Sequence, residues 1–151
     1  MPRADADADA DTAADPTVHR RARLVALAEA IGCLALGLVL QVLDRTPVID
    51  VLGSILYAAL VGCLALLVAP RLRPWAVAVI AFGVSATIEL FQLTGLPAIV
   101  VAAVPPARLV LGSSFDAWDL VAYLGGATLA WGLAAASQRG ARARARTRVT
   151  T

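Results

Sequence analysis

The chain has 151 residues, 60% of them apolar and only 16% charged, with a mean hydropathy of +0.77 and a formal net charge of +2. An ordinary soluble domain is about 45–50% apolar and about 25% charged. A chain this small cannot hide the surplus hydrocarbon in one core, so the surplus faces lipid. That excludes a soluble enzyme, a disulfide-stapled secreted module and a disordered regulator. A net charge contributed by the tails also argues against a nucleic-acid partner.

The N-terminal run Ala4 to Asp11 alternates a small residue with a charge and offers nothing to bury, so residues 1–22 are expected to form a disordered tail. Four apolar runs follow, over 24–43, 51–68, 75–93 and 118–136, inside a membrane domain spanning 23–136. Each approaches the roughly 20 residues that cross about 30 Å of hydrocarbon. A spanning segment satisfies its own backbone, which makes these helices. The first run is too long for the apolar region of a cleaved signal peptide and reads as an uncleaved span. Residues 137–151 form an Arg-rich tail, and all 13 basic residues of the chain are Arg.

Arginine placement orients the bundle. Arg20, Arg21 and Arg23 precede the first span, Arg71 and Arg73 join the second to the third, and five more follow the fourth. The other two connections carry only Arg45 and Arg108, alongside acidic residues. The positive-inside rule then puts both termini in the cytoplasm of a multi-pass cell-membrane protein. Trp75 and Trp118 open their spans, as interfacial anchors do. The apolar stretch from Leu96 to Leu111, broken by Pro97, Pro105 and Pro106, falls on the outer side. It is expected to roof that end of the bundle as an interfacial loop or a re-entrant turn. The expected fold is therefore all-α, a polytopic four-helix membrane bundle.

Ionisable groups inside spans are expensive and mark candidate sites. Glu89 lies about 21 Å along its helix from Trp75, at 1.5 Å per residue. Ser85, Glu89 and Gln92 share one face at i, i+4 and i+7. Asp116, Asp119, Tyr123 and Gly126 follow the same kind of spacing at the start of the fourth span, with Arg108 as the nearby base. Glu89, Gln92, Arg108, Asp116, Asp119 and Tyr123 are therefore the candidate ligand-binding residues. Three carboxylates against one guanidinium call for a bound amine, a metal ion or a proton. The bland alternatives are equally concrete: Asp116 as an N-cap, Asp119 in the first turn on the helix dipole, and Glu89 paired with Arg108. Glu29 lies close enough to the cytoplasmic end to reach headgroups, Cys33 and Cys63 behave as small apolar residues, and His19 belongs to the tail. The ridge Ala122, Gly126, Ala130, Ala134 suits close helix packing, although Ala is abundant enough for chance spacing. No phosphate loop, nucleophile elbow or zinc motif is present, and no cofactor or dedicated metal site is expected.

The string from Glu89-Leu-Phe-Gln92 through Arg108-Leu-Val-Leu-Gly112-Ser-Ser-Phe115-Asp116-Ala-Trp118-Asp119 to Tyr123 and Gly126 resembles the bacterial membrane family known as domain of unknown function 2809. Asp50-Val-Leu-Gly53-Ser-Ile-Leu-Tyr57 resembles that family's second helix. A wider likeness is to the VanZ-like proteins, associated with resistance to the lipoglycopeptide teicoplanin. Those share a helix ending in Glu-x-x-Gln, then an Arg, an Asp with an Asn four residues on, and a Gly. Glu89, Gln92, Arg108, Asp119 and Gly126 fit that pattern, while Tyr123 stands in the place of the Asn and offers a phenol instead of a carboxamide. The resemblance implies an integral membrane protein and hands over no reaction.

The leading expectation is a non-enzymatic, envelope-associated protein whose outer pocket binds a polar or cationic molecule of the cell-wall or antibiotic type, with the lipid bilayer as its other partner and self-association left open. Alternatives are a membrane enzyme acting on a lipid-linked substrate through a carboxyl of raised pKa, or a small transporter subunit.

Overall fold

The computed structural model describes residues 16–44, 46–112 and 114–149, and every regular element among them is helical. In chain order these are α1 (Pro16–Val42), α2 (Pro47–Val68), α3 (Pro74–Gln92), α4 (Leu96–Ala103), a 3-10 turn (Pro105–Ala107), α5 (Arg108–Leu111) and α6 (Ala117–Val149). Four segments are long and apolar enough to cross a membrane: His19–Val42, Pro47–Val68, Pro74–Gln92 and Ala117–Gly140. By length and composition this is the architecture of a four-span membrane protein.

Prolines set the helix starts. Pro47 and Pro74 stand in the first turns of α2 and α3, where a missing N–H costs nothing. Thr46 caps α2, its hydroxyl oxygen accepting from the Ile49 N–H at 3.3 Å. Pro97 likewise sits in the first turn of α4, so it starts a helix instead of breaking one. The stretch read as a loop or re-entrant turn is a chain of short helices, interrupted only where Pro105 and Pro106 tighten the backbone into a 3-10 turn.

Of the expected N-terminal tail, residues 1–15 lie outside the described residues, but α1 already begins at Pro16. At the other end α6 continues through the Arg-rich segment to Val149. Ala and Arg are strong helix formers, and no proline interrupts that run.

The helices pack with α2 and α6 at the centre. α3 lies against both, whereas α1 packs on α2 and only grazes α6. The core is built from small side chains: Ala58, Ala59, Cys63, Ala81, Ala130 and Ala134 are all buried. Large apolar side chains such as Leu36, Val39, Val79, Leu90 and Leu124 point outward. Small inside and large outside is the arrangement expected where lipid, not water, surrounds the bundle and close backbone approach drives packing. The ridge on α6 is real in this sense: Ala122, Gly126, Ala130 and Ala134 are its buried face. A Cβ at Gly126 would run into the Ile55 carbonyl and the Ala58 side chain, and one at Gly62 would meet Ala130.

Candidate functional site

The site is assembled where the last turn of α3, the loop after α5 and the first two turns of α6 meet. Glu89 is the largest fully buried side chain among the described residues, 1% exposed. Its Oε1 accepts from the Asp116 backbone N–H at 2.7 Å, and its Oε2 accepts from the Tyr123 hydroxyl at 2.8 Å and from Gln92 Nε2 at 3.3 Å. The same Gln92 amide donates to the Leu111 carbonyl at 2.9 Å. Both neighbours of Nε2 are acceptors, which fixes the orientation of the amide. Gln92 Oε1 is buried and has no hydrogen-bond partner among the described residues. Among those residues no ion pair joins Glu89 to Arg108, so Glu89 is held by neutral donors and not by the pairing weighed from sequence.

Asp116 is the N-cap of α6. Its Oδ1 accepts from the Trp118 N–H at 2.9 Å, and its carbonyl accepts from the Asp119 N–H at 3.0 Å. Asp119 is the third residue of the helix, where an acidic side chain commonly folds back to the N-cap N–H. Here Glu89, arriving from α3, takes that N–H. The Asp119 carboxylate is thereby freed and accepts from the Ser54 hydroxyl of α2 at 2.6 Å. Tyr57, one turn along α2, donates to the Val110 carbonyl at 3.0 Å and sets its ring 6.2 Å from that of Tyr123.

These contacts frame a cavity of about 340 Å³. All six candidate residues from the sequence line it: Glu89, Gln92, Arg108, Asp116, Asp119 and Tyr123. Asp50, Ser54 and Tyr57 of α2 line it as well and were not singled out as site residues. Their spacing, at i, i+4 and i+7, is the helical signal that could have found them. Arg108 is exposed at the rim. Ser113 and Arg45 lie outside the described residues.

A family profile described as a protein of unknown function, DUF2809, matches residues 43–127. The chain belongs to the DUF2809 family. No curated protein and no solved structure matches it. The matched segment of this DUF2809 protein runs from the end of α1 into α6 and includes all six candidate residues.

The remaining polar groups of the DUF2809 chain divide by position. Ser85 shares the Glu89 face one turn deeper, fully buried, and its hydroxyl has no partner among the described residues. Glu29 does not simply reach out to headgroups: its Oε2 is buried without a partner among the described residues. Cys33 and Cys63 are free thiols that face each other across α1 and α2. His19 is placed on α1, where its Nε2 lies 2.9 Å from Arg71 Nη2, so it ties the start of that helix to the α2–α3 connection. Among the described residues no three of the His, Cys, Asp and Glu side chains are grouped so as to hold a metal ion.

Proposed function

We propose that this DUF2809 protein is a non-catalytic binding protein of the cell envelope, with its polar cavity opening at the outer face of the membrane and both termini inside. The observation that carries the reading is the division of labour among the carboxylates. Glu89 and one oxygen of Asp116 are consumed in building the start of α6, whereas Asp119 has been released from capping and turned toward the cavity. A pocket lined by Asp50, Asp116 and Asp119, with Arg108 at its rim, selects a ligand carrying positive charge, with the guanidinium available to an anionic group on the same molecule. The arginine distribution supports the orientation.

The wider likeness to VanZ-like proteins makes teicoplanin the first molecule to try. Cells expressing wild-type protein, Asp119→Asn or Arg108→Gln at matched membrane abundance would be compared for teicoplanin susceptibility. Protection by the wild type that both variants lose supports the reading. Protection that neither variant alters, or none from the wild type, counts against it.

A further inference from the structure

The cavity is amphiphilic in its layout. Its polar end is the cluster around Asp119, but its wall continues along α1 from Cys33 to Gln41, about 12 Å at 1.5 Å per residue, through Leu34, Leu38 and Leu40. α1 rests on α2 and only grazes α6, so this apolar wall opens sideways between helices and not only at the bundle end. Gly37 of α1 and Gly53 of α2 both line the cavity, and a Cβ at either would meet nothing within 4 Å. Space has been left there, beside side chains that suit hydrocarbon.

Two features of the polar end narrow the chemistry. Asp116 and Asp119 line the cavity together with Arg108, which suits a headgroup carrying both signs. Apart from the Arg108 guanidinium, the groups left over after internal bonding are acceptors: Asp119 and Asp116 each have a second carboxylate oxygen, and Gln92 Oε1 is without a donor among the described residues. Acceptors in surplus select a cation that donates N–H bonds, which a primary ammonium does and a quaternary one cannot.

We infer that the cavity binds a zwitterionic phospholipid with a primary ammonium, its amine among the aspartates, its phosphate at Arg108 and an acyl chain along the α1–α2 wall. This rests on the reading of the cavity as a binding site and adds the class of ligand. It also makes the ligand's route lateral, from within the leaflet.

The test uses the full-length protein in nanodiscs of mixed dioleoyl lipids, released into native mass spectrometry to count retained phosphatidylethanolamine, phosphatidylcholine and phosphatidylglycerol. At least a tenfold preference for phosphatidylethanolamine is expected, abolished by Asp119→Asn and by Gly53→Leu, which fills the apolar wall. Arg108→Gln, at an exposed position that should not perturb folding, is expected to lower retention about tenfold. Equal retention of the three lipids, or selectivity that all three variants keep, overturns the inference. Free phosphoethanolamine competing as well as the lipid would also overturn it, while leaving the pocket as a site for a soluble ligand. Because drug susceptibility is read separately in cells, protection without lipid selectivity and selectivity without protection identify which of the two readings has failed.

Discussion

The Glu89 carboxylate accepts the backbone N–H of Asp116 at 2.7 Å across 27 residues of sequence. Asp116 is the N-cap of α6, so a side chain on one helix decides where the next long helix begins. In the usual capping box the third helical residue supplies this acceptor locally. Moving the task to Glu89 costs a buried carboxylate, and it leaves Asp119 facing Ser54 and the cavity.

That arrangement fixes the order in which variants of the network should fail. Glu89→Ala strands three donors: the Asp116 N–H, the Tyr123 hydroxyl and Gln92 Nε2. At roughly 1 kcal/mol or more for each buried unsatisfied group, the loss should reach about 3 kcal/mol. Glu89→Gln keeps the Asp116 bond through its carbonyl oxygen, and the tyrosine hydroxyl can turn to accept, so about 1 kcal/mol is expected. Tyr123→Phe removes one bond and should cost about as much. Thermal unfolding of the purified proteins in one detergent checks the series. Tyr123→Phe proving as damaging as Glu89→Ala would show that the network is not centred on Glu89.

Gly112 is required twice over. Its backbone, at φ 65° and ψ −168°, lies in a region that only glycine occupies readily. A Cβ there would also strike the Gln92 amide that holds Leu111. Gly95 has a positive φ of 72° too, but open space where its Cβ would point. We therefore expect Gly95→Ala to cost about 1 kcal/mol, from left-handed backbone strain alone. Gly112→Ala should cost about twice that or more, because strain and the displacement of Gln92 add. Equal melting shifts for the two variants would contradict this account.

Much of this was readable in advance because lipid makes polar residues conspicuous. Four apolar runs, and Glu89, Gln92, Asp119 and Tyr123 interrupting two of them, stand out against a background of Leu, Val and Ala. Partnership was harder to read. Ser54 meets Asp119 across 65 residues, and a serine in an apolar helix carries no sign of which helix it faces. Asp116 was legible as a cap, since Asp before an apolar run is a local signal; that its N–H would be taken by Glu89 is a tertiary fact. The α6 ridge was hidden by composition: where Ala is common, a four-residue repeat of small side chains proves little until Gly126 is seen against Ile55. The helical start at Pro16 and the His19–Arg71 contact were missed because charge density was read as tail.

Close approach of α2 and α6 supplies a further test. At Gly126 the nearest obstacle to a Cβ is the Ile55 backbone, which cannot rotate away, so Gly126→Ala must push the helices apart. Overpacking of this kind typically costs about 1–3 kcal/mol. Gly132 lies on the same helix with nothing within 4 Å of its Cβ position. Gly132→Ala should be neutral, or stabilising by about 0.5–1 kcal/mol through better helix propensity. A melting comparison in detergent separates the two. The same Gly126 variant should loosen the Ser54–Asp119 contact and weaken cavity binding, since both partners ride on the displaced helices.

Orientation decides which leaflet and which compartment the cavity serves. The arginines around α1 and the α2–α3 connection predict a cytoplasmic location for those segments, and thus an external one for the loop before α6. In a background with Cys33 and Cys63 replaced by Ala, Ser114→Cys at the exposed cavity end should react in intact cells with a membrane-impermeant maleimide. Arg139→Cys, exposed near the other end of the membrane segment of α6, should react only after the membrane is opened. The reverse pattern would place Asp119 and Arg108 toward the cytoplasm. The cavity would then sample inner-leaflet lipids and cytosolic solutes, and protection against an external antibiotic would lose its physical basis even if lipid selectivity survived.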